Sequence, residues 1–142
     1  MPTLRLVRMI FHPWRELRHL AHVRVSHVSM PGVDELAYTN GVDHIWLDKN
    51  LLQVERRCAL THELQHIYMG HTGHQKPRVE LTVRVITARR LISFDALIRA
   101  ARWAHGPEEL ADELAVTVDV LADRIDYLKG EERRALDAAD HH

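Results

Sequence analysis

His62-Glu63-Leu64-Gln65-His66 holds the residues whose types and spacing point most directly to chemistry. On a helix, residues four apart lie one turn above each other, so both imidazoles can reach one ion. Glu63 falls about 100° round the helix from His62. Its carboxylate then stands beside the ion's place, where a base takes a proton from water that the ion activates. The pattern alone is not decisive. Twelve histidines in 142 residues generate it by chance in roughly 7% of such chains. Context strengthens it: Leu60, Leu64 and Ile67 occupy the opposite face, so the helix belongs between a core and a cleft.

A catalytic zinc site keeps three protein ligands and one open position. Met69 and Thr72 stand where a metzincin places glycine and histidine, which excludes that class. His71 and His74 are close by, but Gly70 and Gly73 mark a helix-ending turn. Between Ile67 and Phe94 the only acid is Glu80, fourteen residues after His66. A carboxylate there is a gluzincin-like third ligand; the alternative is an ion pair with Arg84, four residues on. Cys58, one turn before His62, can face the metal but reads better as a small buried residue.

The elements that must position these residues are legible in outline. Pro13, Trp14, Leu17 and Leu20 predict a helix over 13–21. From Val23 the period changes to two, and Pro31-Gly32 makes a turn. Asn40-Gly41 lies between two apolar runs, the signature of a hairpin with a type I′ turn. Residues 22–48 therefore predict a small antiparallel three-stranded meander. A helix over 55–69 carries the HExxH pattern and stops at Gly70. Residues 78–86 alternate like a strand, while Leu81, Val85, Ala88 and Ile92 also fit a helical stripe; periodicity by itself leans slightly to the strand and does not settle the choice. Ser93, Pro107 and Thr117 open further helices, reaching Trp103, Leu114 and about Gly130. The whole, 1–142, is expected as one α+β domain: the meander packed on a mainly helical part, 78–130 included, with the HExxH helix lining the cleft. Trp14, Trp46 and Trp103 are expected as core anchors.

Composition narrows the class. Nineteen Lys and Arg against 20 Asp and Glu leave a net charge of -1, which excludes a strongly basic nucleic-acid binder. One cysteine excludes an internal disulfide framework. Arg5 and Arg8 interrupt the first apolar stretch, and no run approaches the length of a membrane helix. A cytoplasmic protein with no membrane partner is the expectation.

With these residues in view, the chain resembles a known family. Glu55-Arg56-Arg57-Cys58-Ala59-Leu60-Thr61-His62-Glu63-Leu64-Gln65-His66, preceded by Ile45-Trp46-Leu47-Asp48, is similar to the ImmA/IrrE-type metallo-endopeptidases, particularly their actinobacterial and actinophage branch. There a hairpin ending in an I-x-L-D strand leads through E-R-R-x-x-L into the HExxH helix. The stretch Glu80 to Ile92 resembles that family's E-x-x-A-x-x-x-A-A-x-x-L helix, whose leading glutamate ligates zinc, with Val83 and Thr87 replacing small residues. The likeness covers about residues 12–128.

The resemblance implies a zincin-like fold, a helix over 78–92, and zinc held by His62, His66 and Glu80. It also implies a cytosolic endopeptidase that cuts a DNA-binding repressor of a phage or mobile element. Glu63 would be the general base and then protonate the leaving amine. Tyr38, Tyr68, His71 and His74 are the candidates for stabilising the oxyanion. An edge of the 22–48 sheet can receive an extended substrate.

Two rival classes are weighed against this. Residues 110–128 have a helix-turn-helix outline, but from Glu108 to Leu128 seven acids face one base, Arg124, which disfavours contact with phosphates. Basic residues gather instead over 76–104, seven against two acids. A zinc-bearing regulatory scaffold without turnover is the other alternative, and it leaves Glu63 without a role.

Overall fold

The period-two stretch after Val23 does build a sheet in the computed structural model, which describes residues 11–30 and 36–140. Strand β1 spans Arg24–Val28, β2 Ala37–Thr39 and β3 His44–Asp48. The sheet order is β1-β3-β2, with β1 parallel to β3 and β2 antiparallel to it. This corrects the expected antiparallel meander. Alternation reports which face a residue takes, and that pattern is common to parallel and antiparallel pairs, so it carries no information on strand order. The turn expected at Pro31-Gly32 and the segment containing Arg5 and Arg8 lie outside the described residues.

The hairpin joining β2 to β3 falls where Asn40-Gly41 predicts it, but the turn is not type I′. Gly41 has φ +76°, while Asn40 stays out of the positive-φ region. Instead the Asn40 side chain organises a four-residue loop: Oδ1 accepts from the N–H groups of Val42, Asp43 and His44, at 2.9, 3.0 and 3.1 Å. Asparagine's capacity to bond backbone two residues on outcompetes the two-residue turn.

Seven helices complete a mixed α+β architecture among the described residues: α1 Pro13–Leu17, α2 Gln53–Tyr68, α3 Pro77–Leu91, α4 Phe94–Ala101, α5 Pro107–Glu113, α6 Val118–Asp126 and α7 Gly130–Asp140. Helix α1 is shorter than the periodicity over 13–21 predicts. Residues 78–86 are helical, since Pro77 opens α3 without losing a ladder bond and nothing pairs with the segment as a strand. Helix α7 has no counterpart in the sequence reading. Only Leu136 and Ala139 on it are buried, too sparse a stripe to announce itself, and Gly130 opens this helix rather than closing the previous one. No helix is long and apolar enough to cross a membrane among the described residues.

The chain divides into two compact units, His12–Thr87 and Phe11 with residues 88–140. In the first, α2 packs on β2, β3 and α1. Ile45 and Leu47 from β3 meet Leu60 and Leu64 from α2, all fully buried, with Leu51 closing the cluster. These five side chains fix the helix carrying the HExxH pattern against the sheet, each contributing about 1.5–3 kcal/mol of burial as an upper estimate. In the second unit, α4 buries Ala96, Leu97, Ala100 and Ala101 and packs on α5 and α7. Ser93 Oγ accepts from Ala96 N–H at 3.1 Å, and Thr117 Oγ1 from Val120 N–H at 3.3 Å, the two caps the sequence predicts. Arg124 Nε donates to the Ile92 carbonyl at 2.8 Å and the residue is buried, so the one base of the 108–128 segment is engaged internally.

The tryptophans do not fill the core. Trp14 is 41% and Trp103 64% exposed. Trp46 stands in a stack on the outer sheet face between Tyr38 and His44, with ring centroids 4.7 and 4.0 Å away. Aliphatic residues on β3 and α2 take the interior instead.

Candidate metal centre

Helix α2 is set at both ends by local chemistry. At its start, Glu55 Oε1 accepts from the Leu52 N–H at 2.9 Å, satisfying a donor the helix leaves open. At its end, Gly70 takes φ +70°. Gly70 N–H then donates to the Ile67 carbonyl at 3.1 Å and His71 N–H to the His66 carbonyl at 3.0 Å. These two bonds form a Schellman closure, which folds the chain after Gly70 back over the helix's last turn.

The apolar face of α2 faces the core through Leu60 and Leu64. His62 and His66 come one turn apart on another face, ring centroids 5.0 Å apart and steeply inclined. Glu80 arrives from the first turn of α3, its N–H donating to the Lys76 carbonyl at 2.9 Å. Its carboxylate meets both imidazoles: Oε1 lies 2.6 Å from His62 Nε2, and Oε2 lies 3.2 Å from His66 Nε2.

The three residues are the one group of His, Cys, Asp or Glu able to share an ion among the described residues, with donor atoms all within 4.8 Å of one another. The donor set fits a divalent metal: two imidazole nitrogens and one carboxylate, converging from two helices. Its electrostatics agree. Burial lowers the His62 pKa below its ordinary value, with His66 and Arg84 acting the same way, and the attraction and hydrogen bond of Glu80 do not overcome this. For Glu80, burial alone raises the pKa, but the combined attraction and hydrogen bonds of His62 and His66 outweigh it and the net shift is downward. Neutral imidazole and ionised carboxylate are the protonation states a metal requires.

Glu63 is 7% exposed and lines the same cleft as His66 and Glu80, a cavity of about 500 Å³. Strand β2 forms one wall of it through Ala37, Tyr38 and Thr39. One of the four oxyanion candidates stands apart from the rest. The Tyr68 hydroxyl donates to Glu16 and is not part of the cleft lining, whereas Tyr38, His71 and His74 line it. Cys58 is buried.

His71 has a place that spacing did not reveal. Its Nδ1 lies 3.1 Å from Nδ1 of His66. The signal was present in Gly70: a glycine closing a helix directs the residue after it back across the final turn. A second glycine shapes the same spot. A Cβ on Gly41 would sit 1.9 Å from the His71 carbonyl oxygen, so only glycine lets the β2–β3 loop approach the His71 backbone.

Compared with protein-family models, with curated proteins and with solved structures, the chain matches none.

Proposed function

We propose that this protein is a zinc-dependent endopeptidase of the ImmA/IrrE type with a zincin-like fold, acting in the cytoplasm on a regulatory protein. One observation carries the reading: Glu80 converges on His62 and His66 while Glu63 is buried in the wall of the same cleft. His62, His66 and Glu80 would hold the metal. Zinc bound there supplies a Lewis acid that makes water nucleophilic near neutral pH and polarises a carbonyl. Glu63 accepts the proton of the attacking water on its carboxylate and returns it to the nitrogen of the departing amine. A buried carboxylate in the wall of the donors' own cleft is where a general base stands, which favours turnover over a purely structural metal.

The substrate is read as an extended segment lying along β2. That strand pairs with β3 on one side, and its other edge borders the cleft. Asn40 and Leu36 bond to His44 and Asp48 across the ladder, and Tyr38 stands opposite Trp46. In an antiparallel pair such inward bonding alternates, so the N–H groups of Ala37 and Thr39 face outward. A peptide added there would be held by main-chain bonds, with sequence preference left to side-chain pockets. The resemblance names the substrate class, a helix-turn-helix repressor of a phage or mobile element.

The test compares wild type with Glu63→Gln, both loaded with zinc, on a repressor candidate encoded beside the protein's own gene. Wild type is expected to cut it and Glu63→Gln to leave it intact. If neither cuts it, or both cut it equally, the peptidase reading fails.

A further inference from the structure

We propose that His71 is a positioning residue for His66, holding its imidazole in the tautomer that leaves Nε2 free to bind a metal. The inference rests on the reading of His62, His66 and Glu80 as a metal centre and adds a fourth residue to it.

The geometry restricts the choices. His66 Nδ1 and His71 Nδ1 are 3.1 Å apart, at hydrogen-bond distance. A neutral imidazole has one N–H and one lone pair, so one of these atoms donates and the other accepts. The opposite nitrogen of His66, Nε2, faces the Glu80 carboxylate at 3.2 Å. When the His66 proton is on Nε2, it bonds to Glu80 and no lone pair points to the centre. When the proton is on Nδ1, it donates to His71, and Nε2 presents its lone pair beside the carboxylate. Only the second arrangement can ligate a cation. It requires His71 to accept at Nδ1 and carry its own proton on Nε2, which makes that atom a donor.

His71 can do this because its backbone is held from two sides. The Schellman closure at Gly70 ties His71 N–H to the carbonyl of His66 itself. On the other side, the absent side chain of Gly41, at φ +76°, gives the β2–β3 loop room against the His71 carbonyl. The two rings meet edge to face, centroids 5.3 Å apart. Metal-binding histidines ordinarily give their second N–H to an oxygen acceptor, and such partners fix ring orientation and tautomer. Here an imidazole nitrogen takes that place without adding negative charge.

The experiment titrates zinc into the full chain in competition with a chromophoric chelator, for wild type, His71→Leu and His71→Asn. Leucine keeps the bulk and removes the acceptor; asparagine places Oδ1 where histidine has Nδ1. His71→Leu is expected to weaken zinc binding about 10- to 100-fold, and His71→Asn to recover most of that loss. Leucine binding as tightly as wild type, or both variants losing affinity equally, overturns the inference. Should the leucine variant lose its fold by circular dichroism, nitrogen NMR of the zinc-loaded wild type decides: an unprotonated His71 Nδ1, able to accept from His66, supports the inference and a protonated one overturns it. A wild type that binds no zinc fails at an earlier step, and removes the metal centre together with this role for His71.

Discussion

Glu80 and His62 are eighteen residues apart in the chain, yet Oε1 of one lies 2.6 Å from Nε2 of the other. Each comes from a different helix, and each helix is ended or begun by a single residue, Gly70 closing α2 and Pro77 opening α3. The six residues between those two reverse the chain and bring the carboxylate over the histidine pair. That short return is what turns an HExxH helix into a three-donor site.

Removing the carboxylate should therefore dismantle the centre without unfolding the helix that bears it. Glu80→Ala is expected to lower zinc affinity by at least about 100-fold, since a charged first ligand contributes more than the supporting partners whose loss costs 10–100-fold. Metal analysis after dialysis against a chelator checks this. Zinc retained at the wild-type level would remove Glu80 from the ligand set.

The metal-free protein should lose stability as the solution is acidified. Burial holds the His62 pKa below 6.5, so below that pH the unfolded chain takes up a proton the native site resists. The Glu80 pKa is held below 4.5 despite its burial, because His62 and His66 favour its ionised form. Its stabilising contribution is complete above 4.5 and is lost as pH falls through the folded value. Both groups leave the unfolded state with more bound protons, so the two effects share a sign. Urea midpoints measured with a chelator present should fall from about pH 6.5 downward. A midpoint that is level or rises over that range would contradict the assignment.

Substrate alignment along β2 predicts a selective defect. Ala37→Pro deletes one outward N–H while sparing the ladder to β3, and proline is tolerated on an edge strand. The expected result is a KM raised about five- to tenfold, the loss of one main-chain hydrogen bond, with kcat and zinc content retained. An unchanged KM would place the substrate elsewhere than on this edge.

Ala115 is the one non-glycine residue at positive φ among the described residues, at +55°. It follows α5, where its N–H reaches the Asp112 carbonyl and the next N–H, of Val116, the Ala111 carbonyl, a helix closure that glycine fits without strain. Relief of the left-handed penalty exceeds the added freedom of the unfolded chain, so Ala115→Gly should stabilise by about 0.5–1 kcal/mol. Thermal unfolding of the pair of proteins tests it. A lower Tm for the glycine variant would count against the strain.

What the chain order alone determined was local. The spacing of His62 and His66, the apolar face of Leu60 and Leu64, the caps at Ser93 and Thr117 and the hairpin at Asn40-Gly41 depend on residues within one or two turns of each other, and those relations survive any arrangement of the rest. Tertiary structure decided what distant segments do to one another. It set β1 beside β3 in parallel, because alternation specifies a face and not a neighbour. It resolved residues 78–86 as helix, where period two and period 3.6 were both satisfied. It turned His71 from one of four oxyanion candidates into the neighbour of His66, through the helix stop at Gly70 and through Gly41, whose role appears only when the β2–β3 loop meets the helix end. And it brought Glu80 to His62 and His66, contacts that eighteen and fourteen residues of spacing permit but cannot require, because closing such a loop has an entropic cost that only the packing around it can offset.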